Sequence, residues 1–495
     1  MLDIRIKGAK VYDGSGNPWF TADVGAKDGR ITSVGVVNEK ARRTIRGAGL
    51  ALCPGFVDIH THADDIARNP AAANVVRQGV TTVISGNCGG SALPVGTWLD
   101  EVEAARPAIN YATLVGHGTV RRTVMGMDAR RPTPRELGKM RRLVEQAMRE
   151  GAVGMSTGLF YVPGAYAEVD ELVALSRVVA AHGGTYASHK RSAGGKMIEA
   201  IAEAAAVGKG AGIPIEISHL KALHRRGRTK AGRIDEALAA IRRHREDGVE
   251  MTCDVHPYPA TYTSLSAVAI PPHVASGGKL IERLKDAAAR RGVRKESAGR
   301  IAWMGGAGKI TIAGFKPDPS LEGKSLAEIA RLRRRDPVAT AMDLIVEGEP
   351  SAIFHALRPA DVRQVVCAEL TMIASDGGVV PERKGVVHPR YYGTFPRVLR
   401  EYVRERGLLS FEDAVRKMTY MPARKFGLRD RGLVAPGMAA DLVLFDPDTI
   451  GENATFEDPH AYPTGIACVI VNGRVAWNGR SLARERSGQV IRGCR

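Results

Sequence analysis

Two histidines two residues apart, His60 and His62, close the apolar run FVDIHTH at residues 56–62. On extended backbone alternate side chains share a side, so both imidazoles can reach one ion. Alone, the pair reads as readily as strand-end histidines bonded to loop carbonyls. Four more residues change that balance: Cys88 follows VTTVISGN, His189 lies in TYASHK, His219 in IPIEISHLK and Asp376 in LTMIASDG. Taken singly, Cys88 is a small buried hydrophobe, the histidines are satisfied core residues and Asp376 is a capping carboxylate. Taken together, strand ends that collect thiol, imidazole and carboxylate gain no stability by doing so, and the joint reading is a metal site. These ligand types suit zinc, and their number leaves room for a second, weaker ion. Water activated by such an ion is the nucleophile the site would use.

The elements that must position these residues are eight short apolar runs that stop at polar or glycine residues: 56–62, 80–87, 112–118, 152–158, 185–190, 213–221, 251–258 and 370–377. Amphipathic helical stretches separate most of them. The clearest starts at Thr133-Pro134-Arg135-Glu136, a capping box with proline at the first helical position, and continues through LGKMRRLVEQAMRE. Buried strands alternating with helices predict an α/β fold with a parallel sheet, and eight of them predict a (β/α)8 TIM-like barrel, whose active site gathers at the C-terminal strand ends. Both chain ends read differently, as short strands with turns, including hairpin signals at Asn472-Gly473 and Asn478-Gly479. The expected domains are a small β-sandwich from residues 1–53 and 431–495 and a barrel from 54–430, interrupted at about 275–350 by an inserted subdomain rich in Arg, Lys and Gly.

Of the 495 residues, 44% are hydrophobic and 25% charged, an ordinary globular balance that excludes a disordered or fibrous chain. There is no run of about 18 apolar residues and no secretory pattern at the N-terminus, so a cytoplasmic location without membrane contact is expected. The net charge of +18 is spread over helices such as AAIRRHRED where acidic residues interleave, and aromatics are only 5%, which argues against a nucleic-acid partner. The six cysteines have no close spacing that would mark a disulfide framework.

The ordered motifs PGFVDIHTH, TTVISGNCG, ASHKR, ISHLK, DVHPY, ASDG, HPRYYGTFPRVL and LVAPGMAADLVLFDP resemble those of the amidohydrolase superfamily, and specifically its N-acyl-D-amino-acid deacylase (D-aminoacylase) branch. The resemblance covers nearly the whole chain. It implies a metal-bearing barrel flanked by a small β-sandwich, and a zinc-dependent hydrolase that cleaves the amide of small N-acyl-D-amino acids. In many amidohydrolases a carboxylated lysine from the fourth strand bridges two metals, whereas this fourth strand, AVGMSTG, offers none. The deacylase branch uses the cysteine of GNCG, matched by Cys88.

The resemblance further implies that Cys88, His189 and His219 hold the tight zinc, that His60, His62 and Asp376 form a second, weaker site, and that Asp376 is the general base. It assigns Arg390 and Lys221 to the substrate carboxylate and Tyr258 to the developing oxyanion, with Ser264 as a further contact aligned by its spacing from Tyr258. Two departures stand out. Ala63 separates His62 from Asp64-Asp65, and His256 takes an aromatic position usually held by tyrosine. His117, His224 and His355 carry no assignment, and His388 is expected to be a solvated loop residue. Cys53, Cys253, Cys367, Cys468 and Cys494 are expected to be inert. The alternatives are a cyclic amidase of the dihydroorotase or hydantoinase kind, disfavoured by the missing lysine, and a non-catalytic barrel used as a binding module.

Overall fold

The computed structural model describes residues 1–223, 232–381 and 385–493, so His224 and Cys494 lie outside the described residues. Each of the eight apolar runs contains strand. Phe56–Asp58, Val80–Ser85 and Asn110–Thr113 pair in parallel, and Val115–Gly116, Gly154–Gly158, Thr185–His189, Ile215–Ile217, Met251–Val255 and Thr371–Ile373 form a second parallel series. The two series share one extended segment, broken only at Leu114. At the other side Asp376 N–H donates to His60 O at 2.8 Å and His62 N–H to Gly377 O at 2.6 Å. The strands are buried on both faces, which is why they read as continuous apolar runs.

The intervening helices follow the amphipathic pattern. Pro134–Glu150 is the clearest: Glu136 N–H donates to Thr133 Oγ1 at 3.3 Å, and Thr133 N–H donates back to Glu136 Oε2 at 2.8 Å. Val169–Ala181 and Arg233–Glu246 carry acidic residues in their first turns. No helix among the described residues is long and apolar enough to cross a membrane.

Both chain ends enter one eight-stranded sheet. Ala51–Pro54 pairs antiparallel with Leu442–Phe445 and parallel with Leu2–Val11, so N- and C-terminal strands are interleaved. This sheet has its own apolar cluster, including Ile4, Ile6, Val24, Leu442, Leu444 and Ile470.

The inserted segment is wider than its composition indicates. Thr261–Ser264, Ile310–Gly314 and Ser351–Phe354 make a three-stranded antiparallel sheet, with helices such as Ala287–Trp303 and Pro337–Gly348 between them. The excursion therefore begins near residue 261 rather than 275. Its first strand pairs with a segment some ninety residues away, and local patterning cannot register such a partner.

Candidate metal centre

The predicted ligands converge. Cys88 Sγ lies 3.3 Å from His189 Nδ1, 3.4 Å from His60 Nε2 and 3.7 Å from His219 Nε2. Asp376 Oδ1 lies 3.2 Å from His62 Nε2 and 3.7 Å from His60 Nε2. Two overlapping groups have atoms close enough to share an ion: His60 with Cys88 and His219, and His60 with His62 and Asp376. His189 adjoins the first group, its Nδ1 2.9 Å from His219 Nε2.

Local backbone explains how the donors meet. Cys88, His219 and Asp376 all occupy the left-handed region, with φ of 54°, 35° and 49°. Non-glycine residues rarely adopt it, and each costs of order 1 kcal/mol. The glycines of GNCGG permit the turn. At Gly86 (φ 74°) a Cβ would come within 2.2 Å of Leu114 O, and at Gly89 (φ 79°) within 2.7 Å of Gly158 N. Only glycine fits these two positions, which press the thiol-bearing loop against the neighbouring strands.

The protein's own charges favour a thiolate at Cys88. Burial opposes ionisation, but His189 and His60 outweigh it and hold the thiol well below its usual pKa. Cys253 and Cys468, without such neighbours, are pushed up by burial to about 12 and about 11, and Cys53 is raised further. For Asp376, burial is overcome chiefly by Arg390 and His62, so its carboxyl sits well below the usual carboxylate range. His219 is held well below the usual imidazole value by burial and by Lys221. A thiolate, four histidines and a carboxylate in one cluster form a donor set that fits zinc, although at His60 and His62 burial is outweighed by Asp254, Cys88 and Asp376, which raise the pKa, so that an ion there would displace protons.

The donors open on a pocket of about 400 Å³ that also exposes Lys221, Arg390, Tyr161 and Tyr391. Arg390 is fully buried with Nη1 2.9 Å from Asp376 Oδ2. Its Nε makes no hydrogen bond among the described residues. Lys221 Nζ is 3.5 Å from Thr261 Oγ1. Tyr258 and Ser264 do not line this pocket. Tyr258 is buried with its hydroxyl 3.5 Å from Pro389 O and Arg397 over its ring, and Ser264 lines an adjoining, mostly apolar pocket of about 180 Å³.

Tyr161 went unnoticed in the sequence, although it follows the fourth strand in TGLFYVPG. It stands edge-on to His189 and shares a hydrogen bond with Thr263 at 3.1 Å. His388 is corrected: it is fully buried rather than solvated, its Nδ1 accepting Arg390 N–H at 3.1 Å and its Nε2 lying 3.1 Å from Ala260 O. Its ring packs against Tyr258 and Phe456, contacts that a polar-looking loop sequence conceals. His117 is buried against Glu171 at 2.8 Å, beside Arg121. His256 is buried, its Nδ1 without a partner among the described residues. Ala63 turns into the core, which leaves Asp64 on the pocket rim, where it accepts from Ser85 Oγ at 2.9 Å.

Residues 44–476 match the amidohydrolase family. The chain is 35% identical to a D-aminoacylase of Alcaligenes xylosoxydans xylosoxydans over 99% of its own length and 97% of that protein. It is 36% identical to an N-acyl-D-glutamate deacylase of the same organism, over 99% and 96% of the two chains. Among solved structures, an N-acyl-D-glutamate deacylase from Bordetella bronchiseptica, complexed with zinc and a phosphonate mimic of the tetrahedral intermediate, superposes with a TM-score of 0.86 at 34% identity, covering 99% of each chain. With its thiolate, histidines and aspartate gathered at the ends of parallel strands, the chain belongs to the amidohydrolase family.

Proposed function

We propose that this protein is a zinc-dependent hydrolase that cleaves the amide bond of N-acyl-D-amino acids, releasing a carboxylate and a free D-amino acid. One observation carries the reading. A buried thiolate, histidines and Asp376 meet in a pocket that also presents two cations, Lys221 and Arg390, a combination suited to an acylated amino acid with a free carboxylate. The deacylase names of its full-length relatives support it. The absence of lysine from strand Gly154–Gly158 weighs against the cyclic-amide alternative.

Cys88, His189 and His219 would hold the tight ion, and His60, His62 and Asp376 a weaker second one. Zinc bound there supplies Lewis acidity, polarising the amide carbonyl and acidifying water near neutral pH. Asp376, kept anionic by Arg390, takes a proton from the attacking water and returns it to the leaving amine. Arg390 and Lys221 hold the substrate carboxylate, Arg390 through its planar fork. Tyr258 and Ser264 enter this scheme through the family resemblance alone.

The eight parallel strands support a (β/α)8 barrel over residues 54–430, flanked by a sandwich from 1–53 and 431–495 and carrying an insert that starts near 261 and runs to about 350. A cytoplasmic setting suits the five free cysteines among the described residues. Purified protein assayed on N-acetyl-D- and N-acetyl-L-amino acids, with and without zinc, tests the function. Strict L-preference, or turnover unchanged after complete zinc removal, refutes it.

A further inference from the structure

Asp254, in the DVHPY motif at the end of strand Met251–Val255, has no part in the chemistry above. It is nonetheless buried behind the candidate ligands with both carboxylate oxygens committed. Oδ2 lies 3.1 Å from His60 Nδ1, and Oδ1 accepts the backbone N–H of His219 at 2.8 Å. Its main-chain oxygen accepts Leu220 N–H, also at 2.8 Å.

A neutral imidazole has one N–H and one lone pair. A carboxylate at Nδ1 places the proton there and leaves the lone pair on Nε2. His60 Nε2 is the atom that faces the other candidate ligands, 3.4 Å from Cys88 Sγ and 3.7 Å from Asp376 Oδ1. His60 is also the member common to both ligand groups. His219, meanwhile, stands at φ 35°, a conformation that persists only when its surroundings enforce it. The hydrogen bond from its own N–H to the neighbouring strand supplies that restraint.

We infer that Asp254 is a positioning residue for both candidate metal groups, fixing the Nε2 lone pair of His60 toward Cys88 and Asp376 with one oxygen and the strained backbone of His219 with the other. The inference rests on the zinc reading above. Asp254 touches no substrate, and it acts only through the two histidines.

The two oxygens can be tested apart. In Asp254→Asn the amide oxygen must stay toward the His219 N–H, because two donors cannot face each other. The NH2 then meets His60 Nδ1, which requires a lone pair there and moves the ring proton to Nε2, facing Cys88 and Asp376. Asp254→Ala removes both restraints.

The test uses the full chain: zinc affinity by chelator competition, thermal midpoint, and histidine side-chain 15N spectra of the zinc-loaded protein. Asp254→Asn is expected to bind zinc about 10- to 100-fold more weakly at a near-unchanged midpoint, as for loss of other outer partners of ligating histidines. Wild type should show a proton on His60 Nδ1, and Asp254→Asn should cost nothing further in a His60→Ala background. Zinc affinity of Asp254→Asn within about threefold of wild type overturns the inference, as does an equal loss in the His60→Ala background. If the variants fail to fold, a bare His60 Nδ1 in the wild-type spectrum overturns it and a protonated one supports it. Wild type that takes up no zinc fails the metal reading itself, whereas normal zinc uptake by both wild type and Asp254→Asn removes only the role of Asp254.

Discussion

Replacing Arg390 with alanine separates the two tasks the structure gives this guanidinium. It neutralises Asp376 across 2.9 Å inside the protein, and it lines the pocket where a substrate carboxylate would sit. Breaking one side of a buried ion pair costs roughly 3–5 kcal/mol, and the low end applies because His62 Nε2 remains 3.2 Å from Asp376. A lost charge-assisted contact to the substrate carboxylate is worth roughly 1.5–3 kcal/mol, which lowers kcat/KM about 10- to 150-fold. The charge that overcomes burial at Asp376 is chiefly Arg390, so its removal raises the carboxyl pKa. A base must be anionic, so the acid limb of the pH profile should move to higher pH. The assay is kcat/KM between about pH 5 and 9 for an N-acetyl-D-amino acid and for the matching N-acetyl amine without the carboxylate. The acid limb should shift for both substrates, and the loss at higher pH should fall on the carboxylate-bearing one. Equal loss on the two substrates with the acid limb unmoved would refute both roles.

Cys88→Ser should lose the tight ion, since a neutral hydroxyl replaces a ligand that the histidines hold as thiolate; zinc content after dialysis against a weak chelator measures it. Asp376→Asn should keep much of that zinc and lose turnover by at least about 100-fold, because the base is gone while three ligands stay; near-normal turnover removes Asp376 from the mechanism. Far from the pocket, burial lowers the pKa of Lys417 from 10.5 to about 8, while its ammonium donates to Thr371 O at 3.1 Å. Between those pH values the unfolded chain binds more protons than the folded one, so Lys417 makes stability rise with pH, by up to roughly 3 kcal/mol. Lys417→Met should flatten that rise in thermal midpoints, and an unchanged slope would dismiss the assignment.

The candidate ligands were legible because each sits where an apolar run ends, and a strand end is a local signal. His60, Cys88, His189, His219 and Asp376 could be placed at one rim without knowing any distance. What escaped reading depends on contacts made at long range. His388 has a polar neighbourhood in sequence, but Tyr258 and Phe456 enclose it in space. Thr261–Ser264 receives no assignment as a strand from the sequence because its hydrogen-bonding partner, Ser351–Phe354, lies some ninety residues away. Tyr161 carries no motif of its own and gains its place from the fold around His189. Asp254 was visible in DVHPY, but a carboxylate acquires a role only through what its oxygens touch.

The interleaved sheet bears on how the chain is made. Ala51–Pro54 emerges early, yet its partner Leu442–Phe445 is translated about 390 residues later, roughly 20–80 s at ordinary elongation rates. Through that interval a growing chain carries a sheet with an open, apolar edge. Such edges recruit other strands, so crowded polysomes and slow codons in between are where this protein is most exposed to aggregation. The segment carrying the candidate ligands lies wholly within that wait, from His60 to Asp376, which allows the site to assemble while the ends of the chain are still apart.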